Sequence, residues 1–216
     1  MPVVRWIGLL LVGLVPATGA AQETGGFSVL RGRDTVAVEE FSRGPVELTG
    51  TLMRGGTTTG DRVRYRAVLV EDESAPLIEL SVWQRDDPER ARARQTSRVI
   101  FKDDSVAVDD MTGSGLRTLV MPTQPAPIPY LKLSIAFLEQ ATRRAAASPG
   151  RDSVPMPFFS LDGGQTVVGR VRRLGGDSAV VALGTVEFRL RVDGSGRILG
   201  GALPAQGLRI VRHGAS

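Results

Sequence analysis

Short runs in which apolar and polar residues alternate punctuate the chain, the pattern of strands with one buried and one wet face. The cleanest covers residues 62–70, where Val63, Tyr65, Ala67 and Leu69 oppose Arg62, Arg64 and Arg66. Residues 27–31, 34–41 and 46–53 precede it as strands, and 77–83, 98–102, 105–109 and 116–121 follow. A second series occupies 166–174, 178–183, 186–192, 197–203 and 208–212. Within it Val186, Phe188, Leu190 and Val192 alternate with Glu187, Arg189 and Arg191, and Asp193-Gly194-Ser195-Gly196 predicts a tight hairpin to the next strand.

Between the two series the period changes. In the stretch 127–147, Tyr130, Leu131, Leu133, Phe137, Leu138, Ala141 and Ala145 recur every three to four residues, predicting an amphipathic helix over 129–147. Lys132, Glu139, Gln140, Arg143 and Arg144 fall mainly on its polar side, with Glu139 and Arg143 spaced for an ion pair. Pro127 and Pro129 suit a helix entry, and Ser148, Pro149 and Gly150 stop it. The expected fold is mainly β (α+β): a strongly twisted antiparallel sheet or half-barrel with one principal helix packed on it. Residues 22–216 would form a single domain, with strands over 27–121 and 156–212 flanking the helix.

A weak echo links the halves: residues 33–38 (RDTVAV), 103–108 (DDSVAV) and 176–181 (GDSAVV) each place Asp and a hydroxyl before a small apolar run. Recurrent hairpin chemistry explains this, since Asp and Ser side chains fix turns by bonding the backbone two residues on.

The first residues read as an export signal. Arg5, an apolar run from Trp6 to Val15 and the small residues 17–21 imply cleavage after Ala21. That run is shorter than the roughly 20 residues that span a bilayer, so no integral span is expected after cleavage. The destination is then periplasmic or extracellular. The chain has no Cys, so neither disulfides nor lipid attachment at a processed N-terminal cysteine is available.

The net charge of +4 is modest, and among 27 basic residues only Lys102 and Lys132 are lysine. The cluster of Arg85, Arg90, Arg92, Arg94 and Arg98 alternates with Asp86, Asp87 and Glu89 and has few aromatics beside it. It reads as a solvated loop face, and nucleic acid is not an expected partner.

Candidate chemistry is sparse. His213, the only histidine, lies near the end in a tail expected to fray. No Cys or His pair offers a metal site, and no cofactor is expected. Acid pairs occur at 86–87, 103–104 and 109–110, but neighbours on a strand point to opposite faces. Residues 109–115 (DDMTGSG) have the oxygen density of a calcium loop without its spacing, and read as a turn. What remains is a shape: a twisted sheet crossed by a helix can enclose an apolar groove. Tyr130, Leu133, Phe137, Phe158 and Phe159 are the residues to line or plug it, with plain core packing as their first role.

The run 186–199, VEFRLRVDGSGRIL, together with an export signal and two strand-rich halves about a helix, resembles uncharacterised exported bacterial β-rich proteins. Their sheets are similar to the half-barrel of outer-membrane lipoprotein carriers. The resemblance implies a concave apolar face that binds a lipid, another apolar ligand or an envelope protein. The function expected from the sequence is a non-catalytic binding or scaffold module. The alternative is an accessory domain of a hydrolase, or a diverged hydrolase using carboxylates.

Overall fold

The computed structural model describes residues 22–55, 60–148 and 150–214. The proposed signal, 1–21, lies outside them. The alternating segments form strands β1 (Glu23–Arg31), β2 (Asp34–Arg43), β3 (Glu47–Arg54), β4 (Asp61–Val68), β5 (Leu77–Gln84), β6 (Gln95–Phe101), β7 (Ser105–Thr112) and β8 (Gly115–Pro122). After the short β9 (Ile128–Tyr130) come helix α1 (Ile135–Ala146) and β10 (Ser153–Ser160). The chain ends through β11 (Gln165–Arg173), β12 (Ser178–Leu183), β13 (Val186–Val192), β14 (Ile198–Leu203) and β15 (Leu208–His213).

All 15 strands belong to one sheet, in the order β8-β7-β6-β5-β4-β3-β2-β1-β15-β14-β13-β12-β11-β10-β9. Each half is an antiparallel meander, and β1 pairs with β15 to join them. The exception to antiparallel pairing is β9, which runs parallel to β10. The outermost strands, β8 and β9, are not paired with each other, so the sheet is a half-barrel rather than a closed one.

Alternation decides the concave face. Val63, Tyr65 and Ala67 point inward from β4 with at most 2% exposure, while Arg64 and Arg66 face solvent. Phe27, Leu48, Ile78, Phe188, Leu190 and Ile210 do the same on their strands. This face wraps α1, so helix and both halves share one continuous core. At the ends the sheet overlaps itself. Phe101, inward on β6, meets Phe159 edge-on at 5.4 Å between centroids, and Thr123 and Thr166 hydroxyls share a hydrogen bond of 2.8 Å. The β9–β10 end is therefore tucked inside the curl of β5–β8.

The helix begins six residues later than its apolar period suggests. Ile128 to Tyr130 pair with Phe158 to Ser160 instead, and Leu161 N–H donates to Tyr130 O at 2.8 Å. Leu133 then takes a left-handed φ of 68°, and Ser134 caps the helix by accepting from Phe137 N–H at 3.3 Å. The expected polar side is also corrected: Glu139 and Gln140 are 1% and 0% exposed. A helix wrapped by a sheet has little room for a wet face.

Two further expectations change. His213 does not fray but closes β15 opposite Gly26, where a Cβ would come within 2.4 Å of its ring. Asp109 and Asp110 lie inside β7 rather than in a turn. The hairpin at 193–196 joins β13 to β14 as expected, and each echo segment opens the return strand of a hairpin. No helix among the described residues is long and apolar enough to cross a membrane.

Candidate functional site

Where the sheet overlaps itself, a cavity of about 420 Å3 separates the concave face of β4–β8 from β10 and the chain near Leu131. Its body is apolar. Val63, Leu80, Val82, Val99 and Val108 line one wall, and Leu131, Phe159 and Leu161 the other. These valines and leucines are the inward positions of four alternating strands, which is why the wall is continuous.

Polar groups are confined to two clusters. Arg54 ends β3 directly opposite Asp61, which starts β4. Its Nε donates to Asp61 Oδ1 at 2.8 Å and its Nη2 lies 2.8 Å from Asp162 Oδ1, from the turn after β10. Asp162 also accepts the Lys132 backbone N–H at 2.8 Å. Burial disfavours the Arg54 charge, but hydrogen bonds and charge from Asp61 and Asp162 outweigh it and raise its pKa above the usual value. This arginine thus ties the N-terminal half to the β10 turn across the overlap.

The second cluster sits on the β6–β7 wall. Ser97 and Asp110 are cross-strand partners, and the Ser97 hydroxyl donates to the Asp110 carboxylate. Gln95 Nε2 donates to the same carboxylate oxygen at 3.0 Å. The cavity therefore offers an apolar body between an ion-paired end and a carboxylate already engaged by neutral donors. Such a lining suits an amphipathic molecule.

A second cavity, of about 340 Å3, opens beside the first and shares Asp162 and Gly163 with it. Tyr130, Leu133 and Ile135 at the helix entry face Val29, Val186, Phe188 and Leu203. Burial raises the Tyr130 hydroxyl above its ordinary pKa, and the charge of Asp162 adds to that.

The structure does not gather the five sequence candidates into one place. Tyr130 and Leu133 line the second cavity and Phe159 the first. Phe137 and Phe158 are packed in the core at 0% and 2% exposure, Phe137 lying 4.8 Å from the Tyr65 ring. Sequence reasoning missed Arg54, Asp61, Ser97 and Asp162, and it set Asp110 aside as part of an acid pair in a turn. A usable signal was present for Asp110, which continues the inward alternation Val106, Val108, Asp110. Opposite charges at the two ends of the glycine- and threonine-rich run 55–60 were the signal for Arg54 and Asp61. Among the described residues, no group of three His, Cys, Asp or Glu side chains is placed to hold a metal.

No family model matches the chain, and neither does any curated protein. Two solved structures share its fold. A DUF1089-family protein from Pseudomonas aeruginosa superposes with a TM-score of 0.56 at 12% identity, over 92% of this chain and 97% of that one. A β-barrel-like protein of domain of unknown function DUF1849 from Brucella abortus gives 0.51 at 9% identity, over 90% and 95%. At such identities the likeness is one of fold. It places this chain beside uncharacterised β-rich proteins.

Proposed function

We propose that this protein is an exported, non-catalytic binding module that holds an apolar or amphipathic, lipid-like ligand in the cavity between its overlapping sheet ends. The observation that carries the reading is that cavity: about 420 Å3, with valine and leucine side chains along its walls and its polar groups gathered in two clusters. Ligand sites commonly enclose roughly 300–1,000 Å3 with such a lining. The half-barrel about a helix is also the shape behind the resemblance to outer-membrane lipoprotein carriers. The residues proposed to touch ligand are Val99, Val108 and Phe159 along the body and Arg54 at the polar end. Asp61 and Asp162 are both engaged by Arg54, and Asp110 by Ser97, which favours binding over carboxylate catalysis.

The test is titration with a fluorescent fatty acid, beside mass spectrometry of lipid that co-purifies. Saturable one-to-one binding is expected. Val108→Trp, which fills the cavity from β7, should abolish it while leaving the unfolding midpoint close to the parent's. Absence of saturable binding in the parent, or undiminished binding in Val108→Trp, counts against this site.

A further inference from the structure

The two halves of the sheet treat their outward arginines differently. In the N-terminal half Arg66 and Arg98 have acids within reach, while Arg62 and Arg64 lie over the Trp83 ring, 5.3 and 5.4 Å from its centroid. Arg66 lies between Glu47 and Glu79, 2.5 and 3.6 Å from their carboxylates. Arg98 stands directly opposite Glu79 on one neighbouring strand and Asp109 on the other. Around Arg66 and Arg98 that face carries its own counter-charge.

In the C-terminal half the outward positions of β11, β13 and β15 carry Arg170, Arg172, Arg189, Arg191 and Arg209, all exposed. The acid among those positions is Glu187, which pairs with Arg189 at 2.9 Å. Asp177 and Asp152 stand one residue beyond the strand partners of Arg191 and Arg172, at the ends of the strands. Strand pairing sets Arg172, Val180, Arg189, Ala202 and Arg209 in one row across five strands. Arginines therefore stand on alternate strands, roughly 10 Å apart, with small apolar residues between them. The spacing avoids like charges directly opposite one another.

The row is not simply a solvated surface. Val180, though it points outward, is 6% exposed and floors a shallow depression of about 480 Å3 ringed by Arg172, Arg189 and Arg191, with Glu187 as the acid on its rim. On the same face Val168, Leu174 and Leu199 are 58%, 49% and 39% exposed. A guanidinium fork matches a phosphate in bidentate geometry, and its stem covers apolar surface beneath. Exposed aliphatic side chains among arginines suit the boundary between headgroups and acyl chains. No Phe, Tyr or Trp stands on the outward positions of these strands to stack on bases, and the one imidazole there, His213, closes β15.

We infer that the convex face of β11–β15 docks on an anionic lipid surface, with Arg172, Arg189 and Arg191 engaging headgroup phosphates and Leu174 and Leu199 dipping beneath them. This stands independently of the ligand cavity, which opens on the other side of the sheet.

Sedimentation with vesicles tests it. The parent should partition onto vesicles of equal phosphatidylcholine and phosphatidylglycerol, but not onto phosphatidylcholine alone, and added salt should release it. Arg172→Gln/Arg189→Gln/Arg191→Gln should weaken partition by about a hundredfold, or roughly fivefold per arginine. Arg64→Gln/Arg66→Gln/Arg98→Gln removes the same charge from the other half and should stay within about fivefold of the parent. Val108→Trp, blocked in the cavity, should bind vesicles like the parent.

A second readout does not depend on the triple variant folding. The chain has no Cys, so Leu174→Cys takes a single environment-sensitive dye, whose emission should shift blue on the mixed vesicles. Equal losses in the two triple variants, no preference for anionic vesicles, no shift from the dye, or binding to heparin in place of vesicles would each overturn the proposal.

Discussion

Gln140 and Glu39 are both buried almost completely, at 0% and 1% exposure, and their surroundings treat them in opposite ways. Glu39 reaches from β2 to the start of α1. It accepts from Ile135 N–H at 2.7 Å, Ala136 N–H at 2.9 Å, the Tyr65 hydroxyl at 2.8 Å and the Ser134 hydroxyl. A carboxylate at a helix N-terminus answers the orphan donors there and the positive end of the dipole. Burial nevertheless raises its pKa above the ordinary 4.5, with these donors pulling the other way. Gln140 has no such company: neither its amide oxygen nor its nitrogen meets a partner. A buried unpaired polar group costs about 1–3 kcal/mol. Gln140→Met, close in volume and without polar atoms that need partners, is therefore expected to stabilise by about 1 kcal/mol. Urea unfolding measures this. A loss of stability would mean that the amide is bonded to an internal water in solution.

At the scale of elements, α1 is held by what it buries. Phe137 and Leu138 are 0% and 1% exposed, and Phe137 lies against Tyr65 on β4. Truncating such residues to Ala costs about 2–5 kcal/mol, a large part of a total near 5–15. Phe137→Ala and Leu138→Ala are expected to lower the unfolding midpoint sharply, with exposed Lys102→Ala as the unaffected control. Parent-like unfolding of both would refute the packing of the helix. Arg144 would be a poor control despite its charge, because its Nε and Nη1 each donate at 2.7 Å to loop carbonyls, of Asp72 and Ala126. The strands were legible because period two survives whenever one face is wet, and β12 and β13 begin and end where the alternation does. The helix entry was not. Tyr130, Leu131 and Leu133 continue the apolar spacing backwards from α1, although Tyr130 serves a strand and Leu133 a left-handed turn. Ser134 carried the missing cap signal. The cavity was illegible for a related reason. It lies between strands far apart in sequence, and its polar members, such as Arg54 and Asp162, become neighbours only once the sheet overlaps itself.

The whole molecule is two meanders that share an interior, and ionic contacts join its distant parts. Glu139 on α1 accepts from Ile198 N–H on β14 and from Arg212 on β15, each at 2.7 Å, and also pairs with Arg143 at 2.8 Å. Glu23 on β1 meets Arg143 and Arg197 at 2.8 Å, and Arg212 as well. Arg212 is additionally seated over the rings of Phe27 and Phe41, 4.9 and 5.3 Å from their centroids. Removing one partner of such a buried set leaves the others uncompensated and costs about 3–5 kcal/mol. The helix that carries Glu139 is also gripped by Glu39 from the other half, so damage at the C-terminal end should be felt across the molecule. Trp83 on β5 provides the test, since it is the tryptophan among the described residues and lies far along the ladder from β14 and β15. In Glu139→Ala, Trp83 fluorescence and far-ultraviolet circular dichroism should both move to lower urea and still coincide, as two-state unfolding requires. If the Trp83 transition stays in place while the dichroism shifts, the halves unfold separately, and the shared helix does not couple them.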